Sequence, residues 1–148
     1  MVSINEEAPV LAKAEIEIDA DPETVWKIMA DFKAWPNWNP EVKLCLLHGE
    51  VNPGTQFQWK TGLGNSSSVL QDVDPPHLLA WTGKMMGLNA IHVCKIDIVD
   101  GKTIVKTEES WEGMVSSDMH DRMQETLKTF LQSCLKYLKA EVERVSSL

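Results

Sequence analysis

A histidine, a glutamate and a cysteine are the residues of this chain best suited to chemistry, and a turn dipeptide brings them together. Asp100-Gly101 lies between two strand-like runs, Ile91–Val99 and Thr103–Trp111, and is the dipeptide favoured in two-residue type I′ hairpins. Such a turn pairs residues whose numbers sum to 201. Ile98 then faces Thr103, Ile96 faces Val105, Cys94 faces Thr107, His92 faces Glu109 and Ala90 faces Trp111. These pairs share one mostly apolar face, while Lys95, Asp97, Lys106 and Glu108 occupy the other, as a solvated face should. His92 and Glu109 project together, with side-chain roots about 4.5–5.5 Å apart. Three roles are open to them: a general acid/base pair, a polar anchor orienting a ligand in an apolar cavity, or a buried pair that satisfies itself.

Cys94 falls two residues from His92 on the same face. His, Cys and Glu are each acceptable zinc ligands, so His92, Cys94 and Glu109 make a conceivable triad. A small buried cysteine is more often plain core, and the strong metal spacings are missing, so no metal and no cofactor are expected. The chain also lacks HExxH, GxSxG, a Walker-type glycine loop and a dinucleotide fingerprint. Nothing in the residue order suggests a nucleophile–base pair with a third orienting group.

Six tryptophans against a single tyrosine is an unusual balance. Trp59 is in phase with Phe57, and Trp111 with Val105. The expectation is that Phe57, Trp59, Trp81 and Trp111 line an aromatic pocket that Leu127 and Phe130 close. Met85 and Met123 supply an adaptable lining, and Trp35, beside Pro36, rims the entrance. The plainer account of each is ordinary core packing, which suits Trp26 on its helix.

The elements that must position these residues are legible from periodicity. Ala14, Ile16 and Ile18 alternate with Glu15, Glu17 and Asp19, the pattern of a half-buried strand. Asp21 is a good N-cap, Pro22 suits the first helical position and Glu23 complements the helix dipole. Further strands are expected over residues 42–48, 55–60, 67–73 and 78–83, with turns at Asn52-Pro53-Gly54 and Gly62–Asn65 and a loop carrying Met85 and Met86 that Gly87 closes. From about Ser117 the period becomes helical. Met119, Met123, Leu127, Phe130, Leu131, Cys134, Leu135, Leu138 and Val142 form one apolar stripe. A helix from there to Val145 is about 43 Å long at about 1.5 Å per residue.

The stretch Asp19-Ala-Asp-Pro-Glu-Thr-Val-Trp26, followed by Trp35-Pro-Asn-Trp38-Asn-Pro40, resembles the opening of the polyketide cyclase/dehydrase-like family. That family falls within the START-like, birch-pollen-allergen-like (SRPBCC) superfamily, and the order of elements is similar over essentially the whole chain. The resemblance implies an α+β helix-grip fold in a single domain spanning residues 1–148. In that fold a curved antiparallel β-sheet wraps around a long C-terminal α-helix, two short helices join the first and second strands, and a ligand cavity lies between sheet and helix. Binding of a small hydrophobic or aromatic molecule is the leading expectation. Members of the family also include cyclases, aromatases and dehydrases that act on poly-carbonyl chains, where His92 and Glu109 would be the acid/base pair. A third possibility is a protein-interaction module resembling the superfamily's chaperone co-factors, which would have a solid core and an exposed apolar patch.

Composition narrows the partners. The 148 residues carry a net charge of −8 with acidic residues spread throughout, which argues against nucleic acid and against anionic membrane surfaces. No apolar run approaches the roughly 20 residues of a membrane span, and the N-terminus lacks a signal-peptide pattern. Cys45, Cys94 and Cys134 are widely spaced and odd in number, which suits a reducing compartment. A cytoplasmic protein is the expectation, and nothing in the sequence bears on its oligomeric state.

Overall fold

The computed structural model describes residues 1–113 and 115–148. Among these residues seven strands form one antiparallel sheet: β1 (Val10–Ile18), β2 (Val42–Leu47), β3 (Gln56–Thr61), β4 (Gly64–Asp74), β5 (Leu78–Met85), β6 (Leu88–Val99) and β7 (Lys102–Gly113). Their order across the sheet is β1-β7-β6-β5-β4-β3-β2. Between β1 and β2 run α1 (Pro22–Met29), a 3-10 turn and α2 (Trp35–Trp38). The chain ends in α3 (His120–Ser146), entered through a 3-10 turn at Ser117–Met119. This is the helix-grip architecture, with its two short early helices and long terminal helix.

The local chemistry explains the boundaries. Asp21 caps α1 by accepting from the Thr24 amide at 2.8 Å and its hydroxyl at 2.6 Å, which holds the Asp21 carboxyl below its ordinary range. Asp100 and Gly101 both have positive φ, 52° and 78°, as a type I′ turn requires. The β6–β7 register then runs unbroken from Val99↔Lys102 to Leu88↔Gly113. The expected loop around Met85 and Met86 is instead a second tight hairpin. Met85 pairs with Leu88, and Met86 and Gly87 make the turn with φ of 48° and 82°. One glycine with a non-glycine in the left-handed region suffices for such a turn, so β5 and β6 extend beyond the expected boundaries.

Burial follows the apolar stripe of α3, where Leu127, Phe130, Leu131, Leu135, Leu138 and Val142 are buried. Met119, also in that stripe, is exposed at the helix entrance. Polar side chains of α3 also pin the free edge of β1. The Gln124 amide brackets Leu11, accepting from its N–H at 2.8 Å and donating to its carbonyl. Lys139 donates to the Glu17 carbonyl at 2.6 Å, and Glu143 accepts from the Asp19 amide at 2.9 Å. Backbone groups that would otherwise be part of an open strand edge are thus occupied, and α3 is tied to that edge.

Candidate functional site

Between the concave face and α3 lies a cavity of about 80 Å³. Strands supply Trp59 from β3, Trp81 from β5, His92 and Cys94 from β6, and Thr107 from β7. The α2 region adds Trp35, Trp38 and Asn39, and α3 closes it with Phe130, Leu131, Cys134, Leu135 and Leu138. A smaller space of about 20 Å³ adjoins the other side of Trp59, Trp81 and Phe130, and is also bounded by Met85, Glu109 and Trp111. Beyond it an open cleft of about 460 Å³ separates the β5–β6 turn from the start of α3, with Met85, Trp111 and Met123 among its walls.

His92 faces Glu109 across β6 and β7, and both side chains turn to the concave side. They are 8% and 7% exposed, so neither is a wet surface pair. His92 Nδ1 lies 2.6 Å from Glu109 Oε1. The second carboxylate oxygen accepts from Trp111 Nε1 at 2.5 Å. On the far edge of the ring, His92 Nε2 is 2.9 Å from the Thr107 hydroxyl. Trp81 stacks flat on the imidazole, with centroids 4.2 Å apart and planes 4° from parallel. In the tautomer that donates Nδ1–H to the carboxylate and carries no proton on Nε2, Nε2 accepts from Thr107. A hydroxyl, an imidazole and a carboxylate are therefore in line, and the first two reach the cavity wall.

Thr107 was not singled out from the sequence, although the pairing rule already placed it. It sits opposite Cys94 and two residues from Glu109 on the same face, diagonal to His92. Asn39 was also missed. It is buried, accepts from the Glu41 amide at 3.0 Å and donates to Cys134 Sγ at 3.4 Å.

Other expected wall residues are distributed differently. Phe57 is fully buried among aromatic rings, and Leu127 is fully buried beside Val10, Ala12 and Trp111. Neither borders the cavity. Trp35 does, but as a buried ring and not as an exposed rim. It starts α2, stacks on Phe32 with centroids 4.4 Å apart, and donates its indole N–H to the Met29 carbonyl at 2.9 Å. Met85, Met123, Glu109 and Trp111 border the neighbouring space or the cleft, separated from the main cavity by Trp59 and Phe130.

The triad His92, Cys94 and Glu109 is not arranged as a metal site. Cys94 Sγ meets Met29 Sδ at 3.3 Å, while the imidazole nitrogens are hydrogen-bonded to Glu109 and Thr107. Among the described residues, no cluster of three or more His, Cys, Asp or Glu could hold an ion. Burial pushes the thiols of Cys45, Cys94 and Cys134 up to about 12. Each therefore stays protonated and unreactive until far above neutrality. A disulfide reagent such as Ellman's at about pH 8 should leave the native thiols intact and modify them all after denaturation. Rapid modification of the native protein would mean that the cavity opens readily.

Comparison with known proteins places this geometry. A family model described as polyketide cyclase / dehydrase and lipid transport matches residues 9–143. No curated protein matches the sequence significantly. The fold is similar to the hypothetical protein jhp0584 from Helicobacter pylori, with a TM-score of 0.80 and 16% identity over 96% of this chain and 97% of that one. A START superfamily protein from Mycobacterium smegmatis is similar with a TM-score of 0.71 and 20% identity, covering 91% and 98% of the two chains. The di-domain ARO/CYC BexL of the BE-7585A biosynthetic pathway is similar with a TM-score of 0.76 and 16% identity, over 90% of this chain and 50% of that one. Among the described residues, no helix is long and apolar enough to cross a membrane.

Proposed function

The chain belongs to the polyketide cyclase/dehydrase and lipid transport family, and from that premise we propose that it binds a small apolar or aromatic molecule between the sheet and α3. The observation that carries this reading is the cavity itself, walled by tryptophans and aliphatic side chains with His92 and Thr107 as a polar edge. Mostly apolar walls with a few placed polar groups are what a small-molecule site needs. At about 80 Å³, it is smaller than the roughly 300–1,000 Å³ of sites for drug-sized ligands. A larger guest must therefore displace the wall between Trp59 and Phe130 and extend toward the cleft. The cavity also disfavours the interaction-module reading, which expects a solid core.

Fluorescence titration with prodan, an uncharged naphthalene dye, is the direct test. We expect saturation at one dye per chain, with energy transfer quenching tryptophan emission. Leu135→Phe, which adds bulk to the wall, should weaken the dye about tenfold. A titration that never saturates, or an affinity indifferent to Leu135→Phe, would remove the cavity from the function.

A second reading, a cyclase- or dehydrase-like enzyme, is favoured by the Thr107–His92–Glu109 chain. His92 Nε2 is the nitrogen on the cavity side, and exchange of the Thr107 hydroxyl for a ligand oxygen would make it a general base or acid. Glu109 and the stacked Trp81 would fix the ring. The alignment of this chain with one part of BexL supports the same reading at the level of fold only.

A further inference from the structure

Resting on the binding reading above, we propose that the ligand is an uncharged aromatic or apolar molecule carrying a hydrogen-bond acceptor, of the aryl ketone class, and that the indole N–H of Trp59 receives it. Three of the five tryptophans beside these cavities have indole donors that can be compared. Trp35 Nε1 donates to the Met29 carbonyl at 2.9 Å, and Trp111 Nε1 to Glu109 at 2.5 Å. Trp59 Nε1 is closed off from water and has no acceptor among the described residues. A buried donor in that state has lost its bond to water and gained nothing, and native structures rarely keep one.

The hydroxyls of Thr61, Ser66 and Ser68 border the same small space as Trp59, yet none lies within hydrogen-bonding distance of Nε1. Trp59 packs edge-on against Trp35, Trp81 and Phe130, with centroids 5.4, 6.1 and 6.2 Å away. Indoles are donors only, and phenylalanine has no lone pair to offer. Glu109 borders the same small space as Trp59, but both of its oxygens are already taken by His92 and Trp111. Nε1 is itself shut off from the spaces that Trp59 borders, so an acceptor reaches it on a guest that displaces the wall between Trp59 and Phe130, the route a larger ligand must take.

The rest of the wall has the same bias. Asn39 Nδ2 donates only to a thiol, at 3.4 Å, while its carbonyl oxygen is used by the Glu41 amide. Sulfur is a weak acceptor, so this amide too has donor capacity to spare. Trp59 and Asn39 therefore both have hydrogens to offer, which favours a guest carrying a carbonyl or ether oxygen.

The test uses two ligands of nearly equal shape, acetophenone and cumene, in which a carbonyl group is replaced by a methine bearing a methyl. Affinities of both are measured by calorimetry for the wild type and for Trp59→Phe, which keeps an aromatic ring and removes the donor. The expected result is about a tenfold loss for acetophenone and little change for cumene. In the wild type, the Trp59 indole proton resonance should move downfield with acetophenone and not with cumene, a readout that does not need the variant to fold. Equal losses for the two ligands, or an indole shift common to both, would overturn the acceptor assignment while leaving the cavity reading intact. If neither ligand binds the wild type, the cavity reading falls and takes this inference with it.

Discussion

Glu109→Ala is expected to destabilise the protein by about 3 kcal/mol, because two buried donors, His92 Nδ1–H and Trp111 Nε1–H, each lose an acceptor at a cost of about 1–3 kcal/mol. The side chain is 7% exposed and both oxygens are engaged, at 2.6 and 2.5 Å, so bulk water is poorly placed to replace it. Glu109→Gln should behave differently. Its amide can donate to His92 Nδ1 and still accept from Trp111, provided the imidazole moves its proton to Nε2, which then donates to Thr107. His92, Trp111 and Thr107 each keep one hydrogen bond in this network, and the stability loss should be below about 1.5 kcal/mol, the net worth of one ordinary hydrogen bond. The price is the wrong tautomer, with a proton on the nitrogen that faces the cavity. An enzyme using His92 as a base would then lose turnover by orders of magnitude, the known consequence of such a tautomer switch in hydroxyl–imidazole–carboxylate triads. A carrier would keep most of its affinity for an uncharged ligand. Urea titrations of the two variants, with nitrogen NMR to read the tautomer, check the argument. Equal midpoints for Glu109→Ala and the parent would mean that the carboxylate does not hold this network together.

The network shows how much of the site could be read before the fold was known. Asp100-Gly101 sets a two-residue turn, and strand alternation does the rest, so the meeting of His92 and Glu109 follows from local chemistry. Thr107 obeys the same rule, but threonine is common in strands and nothing in its type separates a network member from a filler. Periodicity reports which face a residue is on, and says nothing of depth. Phe57 and Trp59 are two apart on one face of β3 and look equivalent in sequence. Yet Phe57 sits under a layer of rings, whereas Trp59 borders the cavity. Trp35 misled for another reason. The Trp-Pro pair reads as a loop, but Pro36 occupies the first turn of α2, where its missing N–H costs nothing, and the turn carries Trp35 inward. The packing that leaves Trp59 Nε1 without a partner depends on residues from β3, β5, α2 and α3 at once, so no window of sequence contains it.

That difference in depth makes Phe57 the sharpest control for the cavity. Its ring is fully buried and meets Phe32 at 4.9 Å and Trp81 at 5.4 Å, both edge-to-face, with Trp35 and Trp59 each at 6.1 Å. Deleting such a ring removes its transfer energy and leaves a void that rigid neighbours cannot collapse into, a loss of about 3–5 kcal/mol. For a domain of this size that corresponds to a fall in melting temperature of about 10 °C or more. The void opens beside Trp35 and Trp81, which also wall the ligand cavity. Phe57→Ala should therefore lower stability steeply without weakening prodan, since no wall contact is lost and the added space lies behind the rings that face the guest. Trp59→Phe should do the reverse, sparing most of the stability while lowering affinity for a carbonyl-bearing ligand. Thermal melts and dye titrations on the same samples separate the two. If Phe57→Ala lost affinity while melting like the parent, Phe57 would be a ligand contact after all, and the boundary drawn here between core and cavity would have to move.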